Sequence, residues 1–260
     1  WVILYETGEF YFEKRKYQEA QEFFNQSCED ISTLVRTQKI SENDLRMLRL
    51  HYHWCQCVEK MENVSEGDST NYQNRIRKLD SLLNDSDEFK WKNSPQLLEM
   101  RGFVETRLDR VAIREIGPSQ YEEVHNFAKQ IVFLDKISWE MPLHEMLLQG
   151  LQSRKWHGIA AFDSHGQMMA YLDYKICDAY VEIGICFTIN TFRNLGLMQK
   201  LLTYVLDRFP GQMIKIGTYE KNAPMRQCCE KMGFEVVDKK QDRVDGSCSI
   251  YMQLISPVHN

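Results

Sequence analysis

The chain has 260 residues, of which 43% are hydrophobic and 27% charged, and its formal net charge is -5. This composition is typical of a globular protein and excludes collagen-like, low-complexity and disordered classes. The charge balance is not basic and no basic stripe is present, so we expect no nucleic-acid partner. No apolar run approaches the roughly 18 residues that a membrane-spanning helix needs, so we expect no membrane partner either.

The first 108 residues are predicted to be helical throughout, because Gly and Pro are sparse and apolar residues recur at helical spacing. A first helix carries Gly8 and Tyr11 on one face, and a second helix, after a polar turn at residues 14–16, carries Tyr17, Ala20 and Phe24. Small residues at positions 8 and 20 permit close helix approach. These five residues resemble a tetratricopeptide (TPR) helical hairpin.

The remaining helices of this region fit the TPR pattern less well. We predict a helix that begins near Ser41, a polar loop at residues 63–70, a helix at about 70–84, and a helix that begins at Ser94-Pro95, an N-cap followed by proline. The sequence therefore predicts a TPR-like helical domain over residues 1–108, with three irregular hairpins at most.

The cysteine and histidine pattern in the third helix has the spacing of a metal site but is interpreted as packing. His51 with Cys55 and His53 with Cys57 are i,i+4 pairs, a spacing that can chelate Zn²⁺. The two pairs lie about 200° apart around the helix axis, so one tetrahedral site cannot use all four. We expect no metal site. The eight cysteines of the chain form no C-x-x-C pair, which favours reduced thiols and a cytoplasmic location.

From residue 111 onward, short strand-like runs alternate with helices, which places a domain boundary near residue 109 and a second domain at 109–260. The predicted strands are 111–116, 156–162, 168–176, 180–188, 213–219, 234–239 and 247–254. The predicted helices are 119–133, 142–153, 197–209 and 223–232.

Residues 181–202 carry the pattern with the clearest chemical meaning. A strand leads into a loop that contains Arg193 and Gly196, and a helix opens directly after it. The first N–H groups of a helix are unpaired and carry partial positive charge, which makes them a cradle for phosphate. Gly196 allows the backbone to approach an anion, and Arg193 offers a bidentate contact.

This segment, together with the residues after it as far as Phe234, is similar to the GNAT superfamily of acyl-CoA acyltransferases. The residues that carry the likeness are Arg193-x-x-Gly196, then Asn222, then the string Glu230-Lys231-Met232-Gly233-Phe234. The resemblance covers about 145 residues and implies a mixed, mostly antiparallel sheet flanked by helices. Together with the helical hairpins, it predicts an α+β fold.

The resemblance also implies where acetyl-CoA binds as cosubstrate. Its pantetheine arm is expected in a gap between the strands at 180–188 and 213–219, with Asn222 beside the thioester end. The backbone groups expected to pair with the pantetheine amides are those of Ile185, Cys186 and Phe187. The N–H groups expected to hold the pyrophosphate are those of Asn194, Leu195, Gly196, Leu197 and Met198.

Three residues are candidates for proton transfer. Glu182 precedes Arg193 by 11 residues, the spacing at which related histone-type enzymes place a catalytic glutamate; the alternative is a strand glutamate that faces solvent or a lysine. Cys229 stands where the family often has a Tyr general acid; the alternative is a buried packing residue. Tyr219 is a possible substitute for it.

The sequence thus predicts an acetyl-CoA-dependent N-acetyltransferase that acts on a protein, peptide or small amine. The helical domain is expected to bind a protein or peptide partner or to brace the enzyme, and Trp139 is a candidate for the acceptor pocket. Met198 replaces the small residue usual in the phosphate loop. Together with Cys229, it motivates the alternative of a non-enzymatic interaction protein with a degenerate GNAT domain, as a pseudoenzyme or acyl-CoA sensor.

Overall fold

The computed structural model describes residues 1–37, 45–61, 64, 66–84, 94–130, 149–153, 155–241 and 248–255. The chain forms two compact units, Trp1–Arg107 and Leu108–Asn260. Within the described ranges, no helix is both long enough and apolar enough to cross a bilayer.

The N-terminal unit is helical, as predicted. Its described helices are α1 (Val2–Glu13), α2 (Tyr17–Arg36), α3 (Leu45–Lys60), α4 (Glu66–Asn84) and α5 (Pro95–Arg107). The predicted start of α5 is confirmed, because the Ser94 hydroxyl accepts a hydrogen bond from the Leu97 N–H at 3.2 Å. The predicted helix start near Ser41 lies outside the described residues.

The prediction of a loop at residues 63–70 is wrong in its second half, since α4 already begins at Glu66. The polar side chains of this segment are compatible with a helix because one of them has a tertiary partner: the Gln21 side-chain amide on α2 donates to the Asp68 carboxylate at 3.0 Å.

The first helical hairpin is held by the close approach that its small residue permits. Gly8 is buried, and a Cβ at this position would lie 2.6 Å from Cε1 of the Phe24 ring. Phe24 is itself fully buried. The predicted contact of the two helices is therefore present. The resemblance of the whole unit to TPR proteins stays a prediction.

The cysteine and histidine side chains of α3 contribute to the core of this unit. Cys55 and Cys57 are fully buried, and the His53 ring stacks on Phe24 with 5.7 Å between ring centroids. Burial and the nearby Arg75 lower the pKa of His51 to about 3. These contacts fit the packing interpretation of the i,i+4 pairs.

The C-terminal unit is a seven-stranded mixed sheet with helices, which confirms the α+β prediction. The strands are β1 (Ala112–Ile116), β2 (His157–Phe162), β3 (Met168–Ile176), β4 (Tyr180–Thr188), β5 (Met213–Tyr219), β6 (Glu235–Gln241) and β7 (Cys248–Ile255). The labelled helices are α6 (Tyr121–Gln130), α7 (Leu197–Arg208) and α8 (Ala223–Lys231). The sheet order is β1-β2-β3-β4-β5-β7-β6, and β4–β5 is its parallel pair.

The strand predictions agree with these bounds to within one or two residues, and 168–176, 180–188 and 213–219 agree at both ends. The predicted helix 119–133 is preceded by a 3-10 turn, Pro118–Gln120, and is described as far as Gln130. Of the predicted helix 142–153, residues 149–153 are described; residues 149–152 are helical and residue 153 is in a turn. The turn between the last two strands lies outside the described residues.

Candidate active site

The parallel strands β4 and β5 pair over their first halves and then separate. Their paired residues run from Tyr180 with Met213 to Ile183 with Ile216. Beyond that point β4 continues to pair with β3, and β5 continues to pair with β7. The two strands therefore diverge toward their C-terminal ends, where the sequence analysis expected a gap; the space between them is called the cleft below.

A β-bulge lies at the point where the two strands separate. Leu172 pairs with Cys186 and Tyr174 with Ile183, so two residues of β4, Gly184 and Ile185, stand opposite Asp173 alone. An extra residue bends a strand and increases its twist. The bulge thus accounts for the divergence of β4 from its neighbour.

The turn after β4 is exposed to solvent. Residues 193, 194 and 196 are exposed, and Gly196, the N-cap of α7, has a φ of 75° that favours glycine. No side chain caps α7 and its first turn contains no acidic residue. The first N–H groups of this helix therefore remain available to an anion. Met198 is half-buried in this first turn.

The predicted flanking residue Asn222 is the N-cap of α8. Its side-chain oxygen accepts from the Met225 N–H at 3.4 Å, and its side-chain nitrogen donates to the Thr218 hydroxyl on β5 at 3.2 Å. This pair of contacts fixes α8 beside the cleft. On the other side of the gap, the Cys186 thiol of β4 lies 4.0 Å from the Met225 sulfur.

The backbone groups predicted to meet pantetheine differ in their surroundings. The Phe187 side chain is buried against Phe127 and Tyr171, so it anchors this part of β4 in the core. The Ile185 N–H already donates to the Asp173 carboxyl at 2.6 Å. That amide is therefore committed to β3.

Glu182, the predicted base, is half-exposed and lies two residues before Gly184, on the same face of β4. Its carboxylate is 3.8 Å from the Lys175 ammonium group of β3. The structure thus provides the lysine neighbour of the alternative interpretation, and it also places the carboxylate near the start of the cleft. Its role in catalysis stays a prediction.

The two candidate general acids lie on different elements. Cys229 is a fully buried residue of α8, and burial raises the pKa of its thiol to about 12. This thiol therefore stays protonated and is packed as the alternative interpretation expected. Tyr219 is the last residue of β5 and is half-buried. The acceptor candidate Trp139 lies outside the described residues.

Asp173 is a carboxyl that the sequence analysis did not select. It is 4% exposed, and its two oxygens accept from the Ile185 N–H at 2.6 Å and from the Tyr171 hydroxyl at 3.4 Å. Burial raises the pKa of Asp173 to about 7, against the opposing effect of these two hydrogen bonds. The sequence signal for this residue is a single acidic side chain within the mostly apolar segment that forms β3.

Comparison with protein families gives one match. Residues 114–234 match the model of the acetyltransferase (GNAT) family. The mixed sheet, the separated strands and the exposed turn before α7 therefore belong to a GNAT acetyltransferase domain. This domain is accordingly an acetyl-CoA-dependent N-acetyltransferase domain, with acetyl-CoA as cosubstrate and an amine as acceptor.

Solved structures of several acetyltransferases are similar to this chain. The ribosomal-protein-S18-alanine N-acetyltransferase from Escherichia coli is 15% identical, covers 58% of this chain and 96% of its own, and has a TM-score of 0.49. The structure of yncA from Salmonella typhimurium with its cofactor acetyl-CoA is 17% identical, covers 58% of this chain and 96% of its own, and has a TM-score of 0.47. The spermidine/spermine N-acetyltransferase SpeG from Vibrio cholerae in complex with manganese ions is 13% identical, covers 57% of this chain and 94% of its own, and has a TM-score of 0.44. Comparison with curated protein sequences found no match.

Proposed function

We propose that acetyl-CoA binds in the cleft between β4 and β5 and that its acetyl group passes directly to an amine held on the face of Glu182. The observation that carries this proposal is the end of β4–β5 pairing after Ile183 and Ile216. The unpaired edges beyond that point offer backbone groups to an extended ligand, as in strand addition.

The phosphate groups are proposed to lie at the exposed turn before α7. There the N–H groups of residues 194–198 would donate to an anion at the positive end of the helix dipole. The Arg193 side chain, exposed beside this turn, adds a charge-assisted contact. Because Gly196 carries no side chain, the backbone itself can approach the pyrophosphate.

The chemical step needs a neutral amine. The amine nitrogen attacks the thioester carbonyl, the carbon–sulfur bond breaks, and the departing thiolate takes up the proton that the nitrogen loses as the amide forms. We propose that the Glu182 carboxylate accepts the proton that the attacking ammonium group loses.

The helical unit is proposed to bind a protein acceptor or partner. Its α1 exposes large apolar side chains, the two most exposed being Ile3 at 78% and Phe10 at 55%, and exposed apolar residues of this size favour an interaction surface. Replacing both by Ser should lower acetylation of a protein acceptor and leave transfer to a small amine unchanged. If the wild type and this double variant acetylate protein acceptors equally well, the helical unit instead braces the enzyme.

Isothermal titration with acetyl-CoA tests the binding site. We expect saturable binding by the wild-type protein and a loss of about tenfold or more in affinity for Arg193→Ala, since a hydrogen bond to a charged group contributes about 1.5–3 kcal/mol. Arg77→Ala, which removes an exposed arginine from α4, is the matched control and should bind as the wild type does. No detectable heat at near-millimolar acetyl-CoA would refute the proposal.

Release of the CoA thiol in the presence of peptides, polyamines and other small amines tests the transfer step. We expect release with at least one class of amine. Binding of acetyl-CoA without transfer to any of them would favour an acyl-CoA sensor, the function that Met198 and the buried Cys229 suggest.

A further inference from the structure

The bulge in β4 depends on one buried carboxyl of the neighbouring strand. Asp173 is the single β3 residue opposite Gly184 and Ile185, and its Oδ1 accepts the Ile185 N–H at 2.6 Å. A bulge leaves ladder groups without their regular partners, and a buried N–H without an acceptor is costly. The Asp173 side chain supplies the acceptor that the interrupted ladder does not.

The space around this hydrogen bond is closed by two further residues. A Cβ at Gly184 would overlap both Asp173 Oδ1 and the ring of Trp156. The bulge therefore requires glycine at position 184 because the carboxyl and the indole occupy the space where a side chain would lie. The three groups form one packed cluster, and it lies at the last paired residue of β4 and β5, Ile183.

We propose that Asp173 is a positioning residue for acetyl transfer: by accepting the Ile185 N–H, it holds the bulge that turns β4 away from β5 and so keeps the cleft open. This inference rests on the proposed binding of acetyl-CoA in that cleft. Asp173 acts through the backbone of β4, because its side chain is 4% exposed and belongs to β3, which pairs with the edge of β4 opposite to β5.

The surroundings of Asp173 make its ionisation observable. Its hydrogen-bonding partners are the Ile185 N–H on β4 and the Tyr171 phenol on β3. The pKa of the nearby Cys186 thiol is raised chiefly by burial, with smaller contributions from Cys229 and from the Asp173 carboxylate. Lys175 and Glu182, the charged residues described on the same face, pair with each other. Burial raises the pKa of Asp173 to about 7, within the range that a protein titration covers.

The first experiment is an NMR titration of protein labelled with [¹⁵N]isoleucine. The Ile185 amide is assigned by the loss of its peak in Ile185→Val, which retains the backbone N–H. We expect this resonance to titrate with a midpoint of about 7 in the wild type and to lose this transition in Asp173→Asn. The matched control is Asp163→Asn, since Asp163 is also buried and accepts from backbone N–H groups, those of His165 and Gln167. The control should keep the transition.

The second experiment measures acetyl-CoA affinity by calorimetry at constant pH. Asp173→Ala should weaken binding by about tenfold or more, because the Ile185 N–H loses its acceptor and the bulge that keeps the cleft open loses its support. Asp173→Asn should weaken it less, since the amide oxygen can still accept the Ile185 N–H, and Asp163→Asn should bind as the wild type does. Unchanged affinity in Asp173→Ala, or an Ile185 resonance that does not respond to pH in the wild type, would overturn the inference.

The two proposals fail in different ways. Absence of acetyl-CoA binding by the wild-type protein would refute the proposed cleft, whereas normal wild-type binding with unaffected Asp173 variants would refute only the role of Asp173. If Asp173→Ala does not fold, the NMR titration of the wild type and the measurements on Asp173→Asn still test the inference.

Discussion

Replacing Asp173 by Asn should remove a large pH dependence from the stability of the C-terminal unit. Burial raises the pKa of this carboxyl from 3.8 to about 7 in the folded protein. Because the folded pKa lies above the unfolded one, the folded state holds a proton that the unfolded chain releases at intermediate pH. The stabilising contribution is therefore complete below about pH 4 and is lost as the pH rises through about 7.

The size of the effect can be worked out from this pKa difference. A pKa difference of one corresponds to about 1.4 kcal/mol. Between about pH 5 and about pH 8, the titration lowers the free energy of unfolding by about 2–3 kcal/mol. Asp173→Asn lacks the titrating group, so its stability relative to the wild type should rise by that amount over the same interval.

The assay must report the C-terminal unit alone, since the two units of the chain need not unfold together. Denaturant titrations are combined with a brief deuterium pulse, and exchange is read on peptides from residues 168–188. Wild-type protein, Asp173→Asn and the control Asp163→Asn are compared at the same pH, so that intrinsic exchange rates cancel. If the stability difference between wild type and Asp173→Asn stays constant from about pH 5 to about pH 8, the conclusion that Asp173 is a buried carboxyl with a raised pKa is refuted.

Three further substitutions test other parts of the account. Gly184→Ala should weaken acetyl-CoA binding by about tenfold or more, because the new methyl group overlaps the Asp173 carboxyl; calorimetry with unchanged affinity would contradict this packing. Gly8→Ala should lower the free energy of unfolding of the helical unit by about 1–3 kcal/mol through its clash with the Phe24 ring, and Phe24→Leu in the same chain should restore part of the loss in a denaturant titration. Glu182→Gln should reduce kcat about 100-fold or more with little change in acetyl-CoA affinity, and an unaltered pH–rate profile would remove Glu182 from the mechanism.

The order and type of the secondary-structure elements could be predicted from local sequence because each carries its own signal. The run from residue 180 to 188 alternates and is bounded by turn residues, and Ser94-Pro95 marks a helix start by cap chemistry. The start of α4 could not be predicted in this way. Its polar first turn depends on the contact between Asp68 and Gln21 of α2, which is distant in sequence.

The candidate site likewise has one part that local sequence could predict and one part that it could not. The turn at Arg193 and Gly196 is a local pattern of a strand, a loop and a helix, so sequence alone indicated an anion site there. The role proposed for Asp173 depends on register, because the bulge exists only where Leu172 pairs with Cys186 and Tyr174 with Ile183. Pairing of this kind is set by packing between distant segments.

A crystal structure of the protein with acetyl-CoA bound would decide whether the cleft is the acyl-donor site. The account predicts the pantetheine arm between β4 and β5 beyond Ile183 and Ile216. It also predicts pyrophosphate oxygens within about 2.7–3.2 Å of the backbone nitrogens of residues 194–198. Acetyl-CoA bound elsewhere, with the gap between the two strands empty, would contradict it.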